Sequence, residues 1–297
     1  MGRIAIIGSD SFIAQYLSKR LESNFEIIGY SRTNRIGLTN HIIFEVPIHK
    51  LELNKLLDFD CIIYCVGNGV QSGSIDKFVY NINCFLPINI INFLESNKYQ
   101  GLVFTFGTYF EIGNNSDEKF FSEAEVISSL LNVPNSYCLS KRLLSKFSYC
   151  ANLSIRHFHL ILPTVYGKGE NENRLIPYII NSLVNDKDPL LTSGNQTRQY
   201  IHAEDLSILI EHIILKNTYK SGVYNIPSTE TLTVKEIVTK IFKALKVGKK
   251  PIWNTSGRYD ESMIFLALDA KKIISLIPDL NSINTISSSI DSYLLNK

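Results

Sequence analysis

Two patterns of apolar and polar positions alternate along the first half of the chain. Short runs rich in β-branched residues are each followed by a longer stretch with apolar side chains at helical spacing. Because parallel strands need crossover connections, this alternation predicts an α/β fold with a doubly wound parallel sheet. The predicted strands are Arg3–Ile7, Phe25–Tyr30, Cys61–Val66, Leu102–Phe106 and Ile155–Leu162, and the predicted helices are Ser11–Glu22, Ile75–Ser96 and Asn135–Asn152.

The pattern changes after Val165. A polar loop, a short apolar helix at Leu175–Leu183 and a polar stretch up to Gln199 follow, and they predict a smaller C-terminal α/β lobe. The segment Gln199–Leu215 then predicts one more strand and helix of the first lobe. We therefore assign residues 1–165 and 199–217 to the first lobe and residues 166–198 and 218–297 to the second.

Composition limits the class of partner. The chain has 297 residues, 45% of them hydrophobic, which is enough for a large core, and its formal net charge is only +2. So small a charge argues against nucleic acid or a membrane surface as the partner and favours a small molecule. No apolar run reaches the roughly 18 residues that a membrane helix needs, and the apolar start after Met1 is too short for a secretory peptide.

The cysteines and histidines predict no special chemistry. The five cysteines are odd in number and lack paired short spacings, so we expect reduced core residues and a cytoplasmic protein. His157 and His159 alternate on a strand without a cysteine nearby, and we expect no metal site.

The first strand runs into a tight turn and a helix start between Gly8 and Ala14. Backbone N–H groups and the helix dipole face an anion at such a turn, which is the pyrophosphate site of a Rossmann unit. Gly8 is present, while Ser11 and Ala14 stand where glycines are commoner. An ordinary strand-to-helix turn explains the same residues, so this motif alone leaves the question open.

The end of the second strand indicates which dinucleotide is bound. Ser31 and Arg32 stand where an NAD-binding fold usually places an acid for the ribose diol. Because Arg32 is suited to a 2′-phosphate, we favour NADP(H) over NAD(H). An arginine beside a strand end is also often only a solvated surface residue, and Arg35 offers the same charge.

Tyr137 and Lys141 lie one helical turn apart on one face of a predicted helix. A tyrosine of ordinary pKa, near ~10, exchanges protons poorly at neutral pH, and a fixed cation stabilises its phenolate. Tuned in this way, Tyr137 is able to exchange a proton with a carbonyl oxygen. Isolated Tyr-x-x-x-Lys pairs also arise by chance on exposed helices.

Together with the hydroxyl-bearing strand end at residues 104–108, these motifs resemble the extended short-chain dehydrogenase/reductase family of epimerases, dehydratases and reductases, over nearly the whole chain. The resemblance implies that Thr108, five residues before Gly113, is the catalytic hydroxyl, with Tyr137 and Lys141 as the catalytic pair. Thr105 is the competing hydroxyl and is expected to face the core of the sheet.

The resemblance also implies contacts to the cofactor. Asn83 falls where the family keeps an Asn beside the cofactor, and Pro163–Gly167 match the strand end at the nicotinamide. Ile161 and Thr164 depart from the Arg and Asn that are frequent there. The expected cofactor-binding residues are Gly8, Ser11, Phe12, Ile13, Ser31, Arg32, Val66, Asn83, Tyr137, Lys141, Pro163 and Val165.

The second lobe resembles the family's sugar-nucleotide site. The run Gly194–Asp205 matches the segment whose arginine clamps the diphosphate, here Arg198, although the usual Asp after it is Gln199. Asn173 and Arg258 match further diphosphate contacts. The resemblance thus implies a nucleotide-sugar substrate bound by Thr108, Asn173, Arg198 and Arg258, each of which taken singly also fits a plain surface residue.

Within the family, the residues favour reduction. Dehydratases carry an acidic pair after the catalytic Thr, whereas Tyr109 and Phe110 follow Thr108, and epimerases normally show the ribose-binding acid that is missing here. Residues 165–180 and 258–265 resemble the dTDP- or CDP-linked 4-keto-6-deoxyhexose reductases of bacterial surface-sugar (O-antigen) synthesis. The expected reaction is NADPH-dependent reduction of the C4 ketone, with the proton donated by Tyr137.

Two other functions stay open at this point. One is a nucleotide-sugar 4-epimerase with tightly bound NAD, and the other is a non-catalytic NADP-binding regulator. Residues 75–96 and 135–152 form a four-helix dimer interface in relatives, so we expect a homodimer, although their apolar stripes equally suit a core.

Overall fold

The computed structural model describes residues 2–69, 77–258, 260–277 and 284–294. The strands are β1 Gly2–Ile7, β2 Phe25–Ser31, β3 Asn40–Ile43, β4 Cys61–Tyr64, β5 Leu102–Thr108, β6 Arg156–Leu162, β7 Thr164–Tyr166, β8 Thr197–His202, β9 Gly222–Asn225, β10 Glu230–Thr233 and β11 Phe265–Leu266. The helices are α1 Phe12–Leu21, α2 Lys77–Tyr80, α3 Leu86–Ser96, α4 Glu123–Ser128, α5 Ser136–Cys150, α6 Leu175–Val184, α7 Ala203–Lys216, α8 Val234–Ala244, α9 Lys271–Leu276 and α10 Ile286–Leu294.

Seven parallel strands form the large sheet, in the order β3-β2-β1-β4-β5-β6-β9. The predicted α/β class and doubly wound parallel sheet are therefore confirmed. The order reverses between β1 and β4, so the carboxyl ends of these two strands flank the crevice where open α/β sheets bind ligands.

Both faces of the large sheet are buried, as a parallel sheet covered by helices requires. Along β1, Ile4 and Ile6 pack into one core cluster together with residues of α1 and α7. Ala5 and Ile7 point to the opposite face and pack into a second cluster with residues of α3. The continuous apolar run of β1 is thus explained by burial on two sides.

A second, smaller sheet forms from four short strands. It has the order β10-β8-β11, and β7 also pairs with β8. The sequence pattern predicted that the strand and the helix in Gln199–Leu215 both belong to the first lobe. The strand, β8, instead pairs with β7, β10 and β11 in the small sheet, whereas the helix, α7, packs on α1. The division into two lobes with the predicted boundaries stays a prediction.

Two elements of the first lobe differ from the sequence prediction. The edge strand β3 was not predicted, since Ile42 and Ile43 are exposed and show no alternation of buried and exposed positions. The predicted helix Ile75–Ser96 is interrupted by a π-helical turn at Asn81–Phe85, and its first two residues lie outside the described residues. This π-helical turn holds Asn83.

Candidate active site

The turn after β1 is shaped by Gly8, whose φ is +88°. A Cβ at this position would lie 2.8 Å from the backbone nitrogen of Val66, so a larger residue would collide with the chain after β4. Ser11, the departure from the usual glycine, is the N-cap of α1, and its hydroxyl accepts a hydrogen bond from the Ala14 N–H at 3.4 Å. The first turn of α1 therefore faces the crevice with its remaining N–H groups.

A groove of about 250 Å³ runs from this turn to the end of β2. Its lining residues include Gly8, Asp10, Ser11, Ser31, Arg32, Arg35 and Val66. Arg32 is largely exposed and lies 4.0 Å from the Asp10 carboxylate. The structure thus brings an acid to the ribose end of the groove that the sequence around Arg32 lacks, because Asp10 comes from the turn after β1.

Ser31 is held by the protein itself. Its hydroxyl lies 2.8 Å from the Ser9 hydroxyl and 3.0 Å from the His41 ring, and it donates to the carbonyl of Thr33. The side chain fixes the end of β2 against the turn that follows β1.

A second cavity of about 130 Å³ continues the groove inward. It is lined by Ile13, Tyr64, Cys65, Val66, Gly67, Phe106, Gly107, Tyr137, Lys141 and Leu162. Val66 and Gly67 line both the groove and this cavity. The groove at Arg32 and the cavity at the Tyr137–Lys141 pair are therefore neighbours on either side of Val66 and Gly67, and together they are termed the channel.

Lys141 is buried beneath the half-buried Tyr137 on α5. Its ammonium donates a hydrogen bond of 2.9 Å to the carbonyl oxygen of Phe106 on β5. Burial lowers the Lys141 pKa from 10.5 to about 8, against the attraction of Glu111, which raises it. A lysine with this pKa is mostly charged at neutral pH and titrates at a pH only slightly above neutral.

Thr108 ends β5 and is the N-cap of a 3₁₀ helix at Tyr109–Ile112. Its hydroxyl accepts weakly from the Phe110 N–H at 3.4 Å, and its own N–H donates to the Glu111 carboxylate at 2.7 Å. The competing hydroxyl of Thr105 lies in the core, bonded to two histidine rings. Thr108 is thus the hydroxyl at the end of the strand. It follows Gly107, which lines the inner cavity, but Thr108 itself is buried and lines neither the groove nor this cavity.

Asn83 organises the site from behind. Its side-chain amide donates to the Ser140 hydroxyl at 3.0 Å and to the Asn68 carbonyl at 2.8 Å, and it accepts from the Asn68 N–H at 2.9 Å. Asn83 thus links Asn68, which lines the groove, to Ser140, the residue directly before Lys141. Its role as a direct cofactor contact stays a prediction.

Other predicted cofactor contacts differ in placement. Ile13 lines the inner cavity, whereas Phe12 packs edge-on against Tyr16. Pro163 is buried between Leu162, which lines the inner cavity, and Thr164, which lines the neighbouring one described next. Val165 is part of the hydrophobic core and lines none of these cavities. Successive side chains of a strand point to opposite sides, so Val165 points away from the cavity that Thr164 lines.

A third cavity of about 130 Å³ lies beside the small sheet, against β7, β8 and α6, and carries an excess of positive charge. Three arginines, Arg174, Arg198 and Arg258, line it together with two carboxylates, Glu170 and Asp260. Its other lining residues are mainly apolar or hydroxyl-bearing: Phe110, Thr164, Leu175, Ile176, Tyr178, Leu190, Leu191, Thr192, Gln196, Tyr200 and Val234. Guanidinium groups suit a diphosphate, and an apolar end suits a nucleobase.

Asp260 holds two of these arginines in place. One of its oxygens lies 3.4 Å from Arg198 and the other lies 3.2 Å from Arg258. Arg198 is buried and also donates to the carbonyl of Met263 at 2.6 Å. The guanidinium groups are therefore oriented before any anion arrives.

Asn173 is exposed and does not line this cavity, so the expected contact moves to its neighbour. Arg174, which the sequence analysis missed, lines the cavity and pairs with the buried Glu170 at 3.2 Å. The sequence signal that could have identified Arg174 is its position directly before the apolar helix α6. Asn173 lies one residue earlier in a surface turn, where its N–H bonds Asn171.

Gln199, the departure from the family's Asp, has a structural role. Its amide oxygen accepts from the Leu268 N–H at 2.7 Å, and its amide nitrogen donates to the Leu268 carbonyl at 3.3 Å. An aspartate has no donor for the second bond, so the amide side chain is the one that satisfies both backbone groups.

Two further properties concern the described residues as a whole. Within ranges 2–69, 77–258, 260–277 and 284–294, no helix is long and apolar enough to cross a membrane. In the same part of the chain, no cluster of three His, Cys, Asp or Glu side chains is arranged to bind a metal ion.

The channel fits a nicotinamide dinucleotide. Gly8 allows the turn after β1 to pack against the chain after β4, α1 begins directly after this turn, and the channel ends at Tyr137 and Lys141. The residues suited to hold the dinucleotide are Gly8, Ser11, Arg32, Val66 and Lys141. Bound there, it would supply redox chemistry next to a proton-exchanging phenol.

Comparisons with known proteins identify the family of the chain. The sequence profile of the "NAD dependent epimerase/dehydratase family" matches residues 4–226. CDP-abequose synthase from Salmonella muenchen is 25% identical over 272 residues, covering 88% of this chain and 87% of the relative.

Solved structures share the fold across the whole chain. A dTDP-glucose 4,6-dehydratase from Bacillus anthracis in complex with NAD superposes with a TM-score of 0.81 at 16% identity, covering 100% of this chain and 98% of that chain. A UDP-glucuronic acid 4-epimerase from Bacillus cereus, in complex with UDP-glucuronic acid and NAD, gives a TM-score of 0.82 at 17% identity, covering 98% and 97%.

Proposed function

The chain belongs to the NAD dependent epimerase/dehydratase family, as the motif resemblance predicted, and on that premise we propose that it is an NADPH-dependent reductase of nucleotide-linked 4-keto-6-deoxyhexoses. One observation carries the proposal. Tyr137 and Lys141 lie at the inner end of the dinucleotide channel, and the segment Leu162–Thr164 separates this end from the arginine-lined cavity. A sugar ketone between the two cavities would reach the phenol while its diphosphate reaches the arginines.

The chain's own residues have distinct roles in this proposal. Tyr137 donates the proton to the C4 oxygen, and Thr108 hydrogen-bonds that oxygen as charge develops. Lys141 holds the nicotinamide ribose and stabilises the phenolate of Tyr137 with its buried charge. Arg198 and Arg258 bind the diphosphate, and a bound NADPH supplies the hydride.

The residues beside Thr108 support reduction over dehydration. The Tyr109 hydroxyl lies 2.6 Å from the Thr164 hydroxyl, and burial raises the Tyr109 pKa to about 12. Phe110 has no proton to give. Glu111 is the acid of this turn, but its carboxylate is buried beneath the Thr108 backbone, away from the substrate cavity that Phe110 lines.

The similarity to CDP-abequose synthase supports a substrate linked to a nucleoside diphosphate and a role in bacterial surface-sugar synthesis. The preference for NADPH rests on Arg32 and Arg35, which line the ribose end of the groove. Both guanidinium groups are suited to a 2′-phosphate.

A 4-epimerase with tightly bound NAD is the second candidate. Asp10 favours it, because its carboxylate lines the groove beside Arg32 and is able to accept hydrogen bonds from a ribose diol. An epimerase returns the hydride to the sugar, so it consumes no reductant and keeps its cofactor.

The deciding experiment follows the absorbance of NADPH with CDP- and dTDP-4-keto-6-deoxyglucose, with NADH in parallel and Tyr137→Phe as the blank. Consumption of NADPH by the wild type alone supports the reductase and identifies the nucleotide. No consumption, together with tightly bound NAD in the purified protein, supports the epimerase. Failure of both leaves the non-catalytic regulator.

We also propose that the protein is a homodimer. The π-helical turn and α5 expose apolar side chains, with Phe85 50%, Leu139 38% and Leu143 42% exposed. Sedimentation equilibrium tests this proposal, and Leu143→Lys is expected to shift the protein toward monomer.

A further inference from the structure

A buried carboxylate lies directly behind the catalytic residues. Glu111 has no exposed surface, and one of its oxygens accepts the N–H of Thr108 at 2.7 Å. The Ser145 hydroxyl on α5 faces this carboxylate and lowers its pKa. Among the described residues, the second oxygen, Oε2, has no hydrogen-bond partner. Burial of a carboxylate with one unpaired oxygen costs free energy, so a capping role alone does not account for the burial of Glu111.

The backbone around Glu111 is built to admit polar groups. A Cβ on Gly107 would lie 2.8 Å from each of Glu111 Oε1, Ser145 Oγ and His159 Nε2. Glycine at position 107 therefore leaves space in which these three groups meet. The network continues from Ser145 to His159 at 2.7 Å and on to Thr105 at 2.8 Å.

Two other glutamates of the chain occupy the same local motif without burial. Glu125 and Glu236 each form a capping box, with Ser122 and Thr233 as the N-caps. Both are exposed, and hydrogen bonds from the cap residue lower their pKa, whereas burial raises the pKa of Glu111 to about 7. The motif needs only a surface glutamate, so the burial of Glu111 is specific to this site.

The charges that face Glu111 come from α5. Lys141 and Arg142 attract its carboxylate, and the Cys138 thiol lies near it with a pKa that burial raises to about 12. Lys141 is faced in turn by Glu111, by Cys65 after β4 and by Cys84 in the π-helical turn. Burial raises the pKa of both thiols, so they carry no charge at neutral pH. His159 on β6 also faces Lys141, and burial holds its pKa well below the usual value, which leaves it neutral.

We propose that Glu111 is a positioning residue for the reduction: its carboxylate fixes the backbone of Thr108 and supplies the buried negative charge against which Lys141 keeps its proton. The inference rests on the proposed function, since Thr108 and Lys141 act on the substrate and the cofactor there. Glu111 touches neither and acts through them.

The test compares Glu111→Gln with Glu236→Gln, which removes the charge from an exposed capping box of the same geometry. Without the carboxylate, Lys141 loses its proton more easily, so the basic limb of the kcat/KM–pH profile of Glu111→Gln is expected to move about one unit to lower pH. Glu236→Gln is expected to keep the wild-type profile. A Glu111→Gln profile equal to that of Glu236→Gln overturns the proposal and leaves Glu111 as a cap.

The infrared spectrum provides a second test that needs no substrate and no Glu111 variant. It is recorded on the wild type and on Glu170→Gln, because burial also raises the pKa of Glu170. The carboxylic acid C=O band that both proteins share is expected to disappear between about pH 6 and about pH 8 as Glu111 ionises. Its persistence to about pH 9 overturns the proposal, because no carboxylate then faces Lys141. If the wild type reduces no nucleotide sugar, the proposed function fails while this titration still decides the charge of Glu111.

Discussion

The ammonium of Lys141 donates a hydrogen bond of 2.9 Å to the carbonyl oxygen of Phe106, which joins α5 to the central strand β5. This bond holds the charge of Lys141 at the cavity that Tyr137 also lines. Lys141 is 6% exposed, so the charge acts in a medium where water screens it little. Lys141, which we propose to be catalytic, is therefore held by the core of the fold and not by a surface loop.

Replacing Tyr137 with Phe is expected to reduce kcat by about 10²–10⁴-fold, because the variant lacks the proton that the C4 oxygen must receive. Steady-state NADPH oxidation measures the loss. Tyr149→Phe is the matched control, since Tyr149 lies on the same helix with 52% of its surface exposed, and its kcat is expected to stay at the wild-type value. Full turnover by Tyr137→Phe would remove Tyr137 from the mechanism.

The parts of the site that local sequence encodes could be predicted, and the parts that long-range packing creates could not. Gly8 and the Tyr137–Lys141 pair follow from a turn and a helical spacing, so their pattern is visible in a few neighbouring residues. The importance of Glu111 depends on burial against Ser145 and Gly107, and Asp10 meets Arg32 only because β1 and β2 are neighbours in the sheet. The pattern Thr108-x-x-Glu111 is typical of a capping box, but the pattern does not indicate that the glutamate is buried.

The buried carboxyl of Glu111 predicts a pH dependence of stability. Its folded pKa, about 7, lies above the ordinary value of 4.5, so between these values the folded state binds more protons than the unfolded state. The resulting stabilisation is complete below about pH 4.5 and is lost as the pH rises through about 7. We expect the wild type to lose about 3 kcal/mol relative to Glu111→Gln between about pH 4.5 and about pH 8.

Urea unfolding of both proteins at the two pH values measures this difference. Titrating groups whose pKa does not depend on Glu111, such as the buried His157 and His159, contribute equally to both proteins and cancel in the comparison. Lys141 does not cancel, because the Glu111 carboxylate raises its pKa in the wild type alone. A difference in the free energy of unfolding that does not change with pH would show that Glu111 keeps its ordinary pKa in the folded protein.

Arg32 is expected to determine the affinity for the 2′-phosphate. Because a charge-assisted hydrogen bond contributes about 1.5–3 kcal/mol, Arg32→Gln should weaken NADPH binding about 10- to 100-fold and leave NADH binding unchanged. Asp10→Asn should have the opposite effect on NADPH, since it removes a carboxylate 4.0 Å from the Arg32 guanidinium. Fluorescence titration with both cofactors measures the four affinities, and equal losses for NADPH and NADH in Arg32→Gln would place the 2′-phosphate elsewhere.

Arg258 is expected to contribute to binding of the nucleotide sugar and not to the rate of the chemical step. It lines the charged cavity, it is exposed, and Asp260 orients it at 3.2 Å, so in the proposed function it binds the diphosphate and not the ketone. Removing one charge-assisted contact from both the ground state and the transition state raises KM and leaves kcat unchanged. We expect Arg258→Gln to raise KM for the nucleotide sugar about 10-fold or more, in keeping with about 1.5–3 kcal/mol for a hydrogen bond to a charged group.

The matched control is Lys271→Gln, which removes a cation whose side chain is 90% exposed and which does not line this cavity. Its KM and kcat are expected to equal those of the wild type. If Arg258→Gln lowered kcat at unchanged KM, the guanidinium would contact the reacting end of the sugar, and the substrate would lie in the cavity in the reverse direction. The same KM change in both variants would instead reflect the general positive charge of the protein. The split between KM and kcat therefore determines the orientation of the substrate as well as the role of Arg258.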